Sequence, residues 1–325
     1  MREQTLPFDI NTLGELRIPG FSIQESMCGK GLVPLPADLA GQPSEAWYQR
    51  FRDLVLGAAS SRKWLPVYRL SDGEFTCMVG RRFTPMPWKA AAMARLRHLY
   101  NTVKRCSPFY SSGRPGYCES YYAWELPLVR ATLAKSLAEI AGSGALCFNF
   151  SRSDLATPYV APVCRWMTDR GIHIPSRAYY HFYHVYGLLN GPDVAELLRG
   201  RRVAVMTSNI GGRRDALLQA VVDRGASDAV FYETSRNKPA LETIDCRKFP
   251  NGIDIVLLGA GVGAAQIILQ LKPLSCVAID AGFALDCWAE PSLRQRRPYC
   301  VYDDDWQNVY GTEVPEWHSP ASSTA

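Results

Sequence analysis

Asp72 and Glu74, separated by Gly73, close the short apolar run Val67-Tyr68-Arg69-Leu70. Two carboxylates two residues apart can converge on a hard divalent cation, and such a cation also holds diphosphate oxygens. An ordinary acidic turn has the same spacing, so the pair becomes a site only if the flanking chain positions it. The flanking residues supply that position. Val67 to Leu70 has the β-branched and aromatic character of a buried strand, and Ser71-Asp72-Gly73 reads as a turn in which Gly73 lets the backbone bend. Both acids then emerge at a strand's carboxyl end, where open α/β sheets bind ligands.

Two glycine-containing connections offer further chemistry. Thr207 to Arg214 passes from strand to helix through Gly211 and Gly212, exposing backbone N–H groups beside Arg213 and Arg214, a phosphate cradle by type. Gly259, Gly261 and Ala264 fit G-x-G-x-x-G/A, and Asp280 ends the next apolar run near the distance of a ribose-binding acid. Taken alone, that loop predicts an NAD(P)-dependent oxidoreductase. Only about forty residues follow Asp280, too few for the second half of such a domain. A methyltransferase or plain helix-to-sheet packing would use the same glycines. Neither connection ends in the Gly-Lys-Ser/Thr of a P-loop. Arg81 and Arg82 lie within reach of a phosphate or form a solvated basic turn. His181 and His184, at i and i+3, have the spacing of helical metal ligands, but without a third ligand nearby the better account is packed aromatic residues with hydrogen-bonded histidines.

The elements that must hold these groups follow from periodicity. Trp47, Phe51, Leu54 and Val55 predict a helix capped by Ser44, leading into the strand with the acids. Pro87 opens a second helix, with Met93, Leu96, Tyr100 and Val103 on one side. A third carries Val129, Leu133 and Ile140, followed by a strand from Ala145 to Phe150 and a short helix near Val160 to Asp169. Four apolar strands, Val203 to Met206, Ala229 to Tyr232, Ile253 to Leu258 and Cys276 to Asp280, alternate with helical segments, which implies parallel pairing. The expected architecture is a single α/β Rossmann-like domain over residues 44–310, with a mainly parallel sheet flanked by helices. Residues 1–43, with five prolines, read as an irregular arm, and 311–325 as a frayed tail.

Composition narrows the class. The chain has 325 residues, 47% of them hydrophobic, and no run approaches the length of a membrane-spanning helix. The start lacks a secretory pattern, so a cytoplasmic location is expected, with contact at the inner face of a membrane if the acceptor is membrane-linked. Ten cysteines without close pairs read as reduced core residues. A net charge of +5 is too weak for nucleic acid and suits an anionic small substrate.

Arg69, Asp72, Gly73 and Glu74, the turn within Val203 to Leu217, Leu258-Gly259-Ala260, and Val277 to Gly282 ending in Asp-x-Gly occur in an order that resembles the bacterial glycosyltransferases of the GT-D fold. The resemblance spans about Leu65 to Glu290 and rests on the order of short motifs. It departs from the family at Phe283, where many members have histidine, and at Ala260, where proline is usual; Asp286 is the nearby polar group that could stand in for the histidine. The resemblance implies sugar transfer from a nucleotide diphosphate sugar, a uridine one, to a hydroxyl of a growing glycan. It further implies Mn²⁺ or Mg²⁺ at Asp72 and Glu74, catalytic roles for Asp72, Glu74, Asp280 and Asp286, and donor contacts from Arg69, Gly73, Gly211, Gly212, Arg213, Gly259 and Gly261. The alternatives from other classes are the oxidoreductase above and a non-catalytic sugar-binding protein. Acceptor binding is expected at the aromatic clusters Phe109-Tyr110, Tyr117 to Trp124 and Tyr179 to Tyr186, because rings cover the apolar faces of sugars.

Overall fold

A computed structural model describes residues 7–21, 32–43, 45–80, 96, 99–100, 103, 118–150, 157–208 and 212–311. Its centre is a seven-stranded, wholly parallel sheet. In chain order the elements are β1 (Ile10–Glu15), β2 (Leu32–Pro36), α1 (Ala46–Ser60), β3 (Leu65–Leu70), α2 (Asp72–Val79), α3 (Leu126–Ser143), β4 (Ala145–Phe148), α4 (Thr157–Thr168) and β5 (Tyr179–His181). They continue with α5 (Phe182–Asn190), α6 (Asp193–Leu198), β6 (Arg202–Thr207), α7 (Arg214–Asp223), β7 (Asp228–Tyr232), β8 (Ile255–Gly259), α8 (Ala264–Gln270), β9 (Val277–Asp280), α9 (Phe283–Ala289) and α10 (Asp303–Tyr310).

The strand order is β5-β4-β3-β9-β8-β6-β7. Strands buried on both faces read as continuous apolar runs, and β3, β4 and β9 are buried along their whole length. Register aligns their ends: Leu70 lies beside Phe148, Leu258 beside Asp280, and Thr207 beside Gly259. From β3 and from β8 the chain moves toward the β5 edge, whereas from β6 it moves the other way to β7. Right-handed crossovers therefore set α3, α4 and α8 on one face and α7 on the other. The contacts agree, since α8 packs on α3 and α2 on α4, while α9 packs on α7 and α1 on α5 and α6. The connections diverge between β8 and β6, which opens a crevice at the carboxyl edge.

Four expectations change. The arm is not irregular, because β1 and β2 pair antiparallel and Phe8, Leu16, Ile18, Phe21, Val33 and Leu39 enter the core. Pro34 and Pro36 are tolerated there because a two-stranded sheet has only edges. Ser71 to Gly73 is not a turn but the start of α2, with Ser71 as N-cap. Tyr179 to His181 is an added sheet strand ahead of α5. The cap of α1 is Glu45, while Ser44 lies outside the described residues. Of the helix expected after Pro87, the described Leu96, Tyr100 and Val103 are helical with exposed side chains.

Candidate functional site

The motif begins where β3 ends. Ser71 leaves the strand extended and caps α2, and Glu74 returns the cap: its Oε2 accepts from the Ser71 N–H at 2.9 Å. Phe75 then anchors the helix, fully buried and stacked on Phe150 with centroids 5.4 Å apart. At about 100° per residue, Asp72 and Glu74 leave the helix on different sides. The two acids do not converge as they would in a turn; the Asp280 charge acts on Glu74 more strongly than that of Asp72 does. Burial pushes the Glu74 carboxyl up to about 8, and the Asp280 carboxylate adds to the rise. The Tyr68 hydroxyl is fully buried and held un-ionised by burial and then by the charges of Glu74 and Asp280.

Arg69 and Asp280 form the buried half of the site. Arg69 Nε donates to the Asp280 carbonyl at 2.5 Å, Nη2 to Asp280 Oδ1 at 3.3 Å, and Nη1 to Tyr186 Oη at 2.5 Å. Its guanidinium also lies 4.6 Å from the Tyr186 ring centroid and 4.9 Å from that of Phe182. Burial alone would weaken the Arg69 charge, but Asp280, Tyr186 and Glu74 raise its proton affinity by more. Burial raises the Asp280 carboxyl too, against the opposing pull of Arg69. Gly282 makes the pairing possible. Its φ is +49°, and a Cβ there would sit 1.8 Å from Arg69 Nη2.

The glycine loop meets the same edge. Gly259 ends β8, Gly261 has φ +52°, and Gly261–Gly263 form a 3-10 turn packed against α2. A Cβ on Gly263 would lie 2.5 Å from backbone atoms of Pro239 and Ala240, so this glycine serves close packing. Asp280, which a dinucleotide ribose would need, is 4% exposed and bound to Arg69. The glycine fingerprint therefore does not carry a dinucleotide site.

Arg213 and Asp286 belong to a second cluster on the α7 and α9 side. Arg213, the N-cap of α7, pairs with Glu290, and Arg297 lies 4.5 Å from the Phe283 ring centroid. Burial raises the Asp286 carboxyl while Arg213 and Arg297 oppose the rise. Gly212 borders open space; Gly211, Arg81, Arg82, Phe109, Tyr110 and Tyr117 lie outside the described residues.

The aromatic clusters are mostly core. Tyr121, Tyr179, Tyr180, Tyr183 and Tyr186 are buried, and Tyr121 Oη accepts from the Ala240 N–H at 2.9 Å. This corrects the acceptor assignment at those rings. Tyr122 and Trp124, stacked at 4.5 Å, retain exposure. His181 and His184 are fully buried, and His181 Nδ1 caps α5 by accepting from the Tyr183 N–H at 3.2 Å. Burial lowers His181 to about 3 and His184 well below its ordinary value, so both are neutral packing residues.

Glu74 and Asp280 act on the one buried guanidinium of Arg69, and Asp72 shares the first turn of α2 with Glu74, so the donors offered here are carboxyl oxygens. That chemistry fits Mg²⁺ or Mn²⁺. Among the described residues no three His, Cys, Asp or Glu side chains gather as a metal site, so Asp72 and Glu74 would need other oxygens to complete the coordination.

Sequence reading missed Tyr68, which stood in an apolar run that gave no polar signal, and placed Tyr186 in an acceptor cluster although its hydroxyl accepts from Arg69 in the interior.

No family model matches the chain, and no curated protein matches it. Two solved structures resemble it in fold. One is a selenomethionine-substituted domain of unknown function 1792, at 12% identity and a TM-score of 0.43, covering 83% of this chain and 88% of that one. The other is described as the highly conserved domain of unknown function 1792 with a distinct glycosyltransferase fold, at 12% identity and a TM-score of 0.42 over the same shares.

Proposed function

We propose that the protein is a metal-dependent glycosyltransferase that moves a sugar, a hexose by class, from a uridine diphosphate sugar to a hydroxyl of a growing glycan or glycoconjugate. The observation that carries the reading is the placement of Asp72 and Glu74 on the first turn of α2, at the carboxyl edge, beside the Gly261–Gly263 turn. Because they leave the helix on different sides, Asp72 and Glu74 would hold a cation through water or diphosphate oxygens, and that cation would offset charge developing on the departing diphosphate. Arg69 pairs with Asp280 in the interior and opposes the rise that burial imposes on the Asp280 carboxyl, which holds the Asp280 side chain against the guanidinium. Asp280 is thereby a positioning residue. On the opposite side of the crevice, Arg213 and Arg297 supply positive charge toward phosphate oxygens. Capture of a membrane-linked acceptor would be peripheral, since no helix among the described residues is long and apolar enough to cross a membrane.

The test is product release. Incubated with uridine diphosphate sugars and Mn²⁺, the purified chain should liberate uridine diphosphate, and a chelator or Asp72→Asn should stop it. Stabilisation by NAD(P) without any response to uridine diphosphate sugars would overturn the reading.

A further inference from the structure

The segment leading into α3 leaves one aromatic face bare beside the motif helix. Tyr122 and Trp124 stack with centroids 4.5 Å apart and planes 10° from parallel. The Lys238 ammonium lies 4.0 Å from the centre of the Tyr122 ring. No group fits between two rings that close, so the ammonium occupies the other face of Tyr122 and the pile runs Lys238, Tyr122, Trp124. Glu125 pins it: Oε1 accepts from Lys238 Nζ at 2.6 Å and Oε2 from the Tyr122 N–H at 2.9 Å. Trp124 is 56% exposed, which suits an indole covered on one face and open on the other. A lone exposed ring is ordinary surface. A ring stacked on a pinned neighbour has given up rotamer freedom that exposure would otherwise leave it, and is pre-organised for a ligand. The same segment is tied to the carboxyl edge. Cys118 Sγ lies 4.0 Å from the carbonyl of Gly73, the residue between Asp72 and Glu74. Tyr121 Oη accepts from the Ala240 N–H, and Tyr121, Ala240, Val129, Val262 and Cys77 of α2 form one buried cluster. The platform therefore stands beside α2 and the Gly261–Gly263 turn. An occupant must be apolar on one flat side and uncharged, because the Lys238 charge is already paired with Glu125. A sugar ring meets these terms, with C–H groups on one face and hydroxyls at its rim. A nucleobase has such a face too, but its diphosphate gains little from a cation already paired.

We propose that the open face of Trp124 is a subsite for a sugar ring of the acceptor glycan, an inference that rests on the sugar-transfer reading above and extends it to the acceptor. The test is an array of neutral oligosaccharides probed with the tagged full chain in the absence of nucleotide, followed by titration calorimetry of the strongest binder. The wild type should bind a subset of the array. Trp124→Ala should weaken the strongest binder by about tenfold or more, the scale of losing an aromatic anchor, and Trp124→Phe, which keeps a ring, should fall between the two. Wild-type binding to no neutral glycan, or equal binding by Trp124→Ala, overturns the subsite. So does a Trp124→Ala protein that keeps the glycan and loses uridine diphosphate, since the ring then stacks a donor base. Release of uridine diphosphate from its sugars with Mn²⁺ is scored on the same preparations. If that release occurs without Trp124-dependent glycan binding, this inference alone fails; if Trp124-dependent glycan binding occurs without release, the subsite stands and the transfer reading fails. Thermal unfolding reports the fold of each variant, and Trp124→Leu replaces Trp124→Ala should the latter not fold.

Discussion

Replacing Glu74 by Gln should make the metal-free protein more stable in alkali. The native Glu74 carboxyl holds its proton up to about 8, against an ordinary value of 4.5. Between those two pH values the unfolded chain has released the proton and the native chain has not, so stability falls as pH rises through the window. Below the window the carboxyl is neutral in both states and the penalty vanishes. At about 1.4 kcal/mol per tenfold change in proton affinity the full rise corresponds to about 5 kcal/mol, and with part of Glu74 open to solvent the measurable share is about 2–3 kcal/mol. Gln is neutral throughout, and its amide oxygen can still accept from the Ser71 N–H, which preserves the cap. Urea unfolding in chelator at pH 5, 7 and 9 checks the difference between the two proteins. Glu74→Gln should match the wild type near pH 5 and exceed it by about 2–3 kcal/mol at pH 9. Equal stability at pH 9, or a less stable variant, would refute the placement of Glu74 against Asp280.

Gly282→Ala, which would put a Cβ 1.8 Å from Arg69 Nη2 at φ +49°, should cost about 3–5 kcal/mol by the same unfolding assay. Arg69→Met strands the Asp280 carboxylate in the interior and should cost about 3–5 kcal/mol; adding Asp280→Asn should restore part of that loss, and a purely additive double variant would contradict the ion pair. His181 and His184 remain neutral in the native state while the unfolded chain protonates below 6.5. Stability should therefore fall by about 1.4 kcal/mol per pH step for each histidine as pH drops below 6.5, and His184→Phe should lessen the slope.

Much of the scaffold was legible because parallel strands buried on both faces leave uninterrupted apolar runs, as at Val203 to Met206 and Ile255 to Leu258. The location of the acids was legible for the same reason, since a strand's end is visible where its apolar run stops. Their geometry was not. Ser71 and Glu74 carry the Ser-x-x-Glu signature of a helix start, but Gly73 between them is equally a turn residue, and only the packing of Phe75 on Phe150 favours the helix. The Arg69–Asp280 pair joins positions 211 residues apart, beyond any local pattern. The three-residue β5 is too short to leave a pattern and depends on its pairing with β4. The aromatic run at Tyr179 to Tyr186 shows the limit of composition, because rings that suit a sugar also suit a core.

Calorimetric titration of uridine diphosphate into the full chain, with and without Mn²⁺, tests the central claim most directly. The wild type should bind in a saturable manner with Mn²⁺ present and lose most of that affinity with chelator, and Asp72→Asn should behave with Mn²⁺ as the wild type does without it. Binding that is identical with and without Mn²⁺, or absent under both conditions, would contradict a metal-assisted nucleotide-sugar site at Asp72 and Glu74.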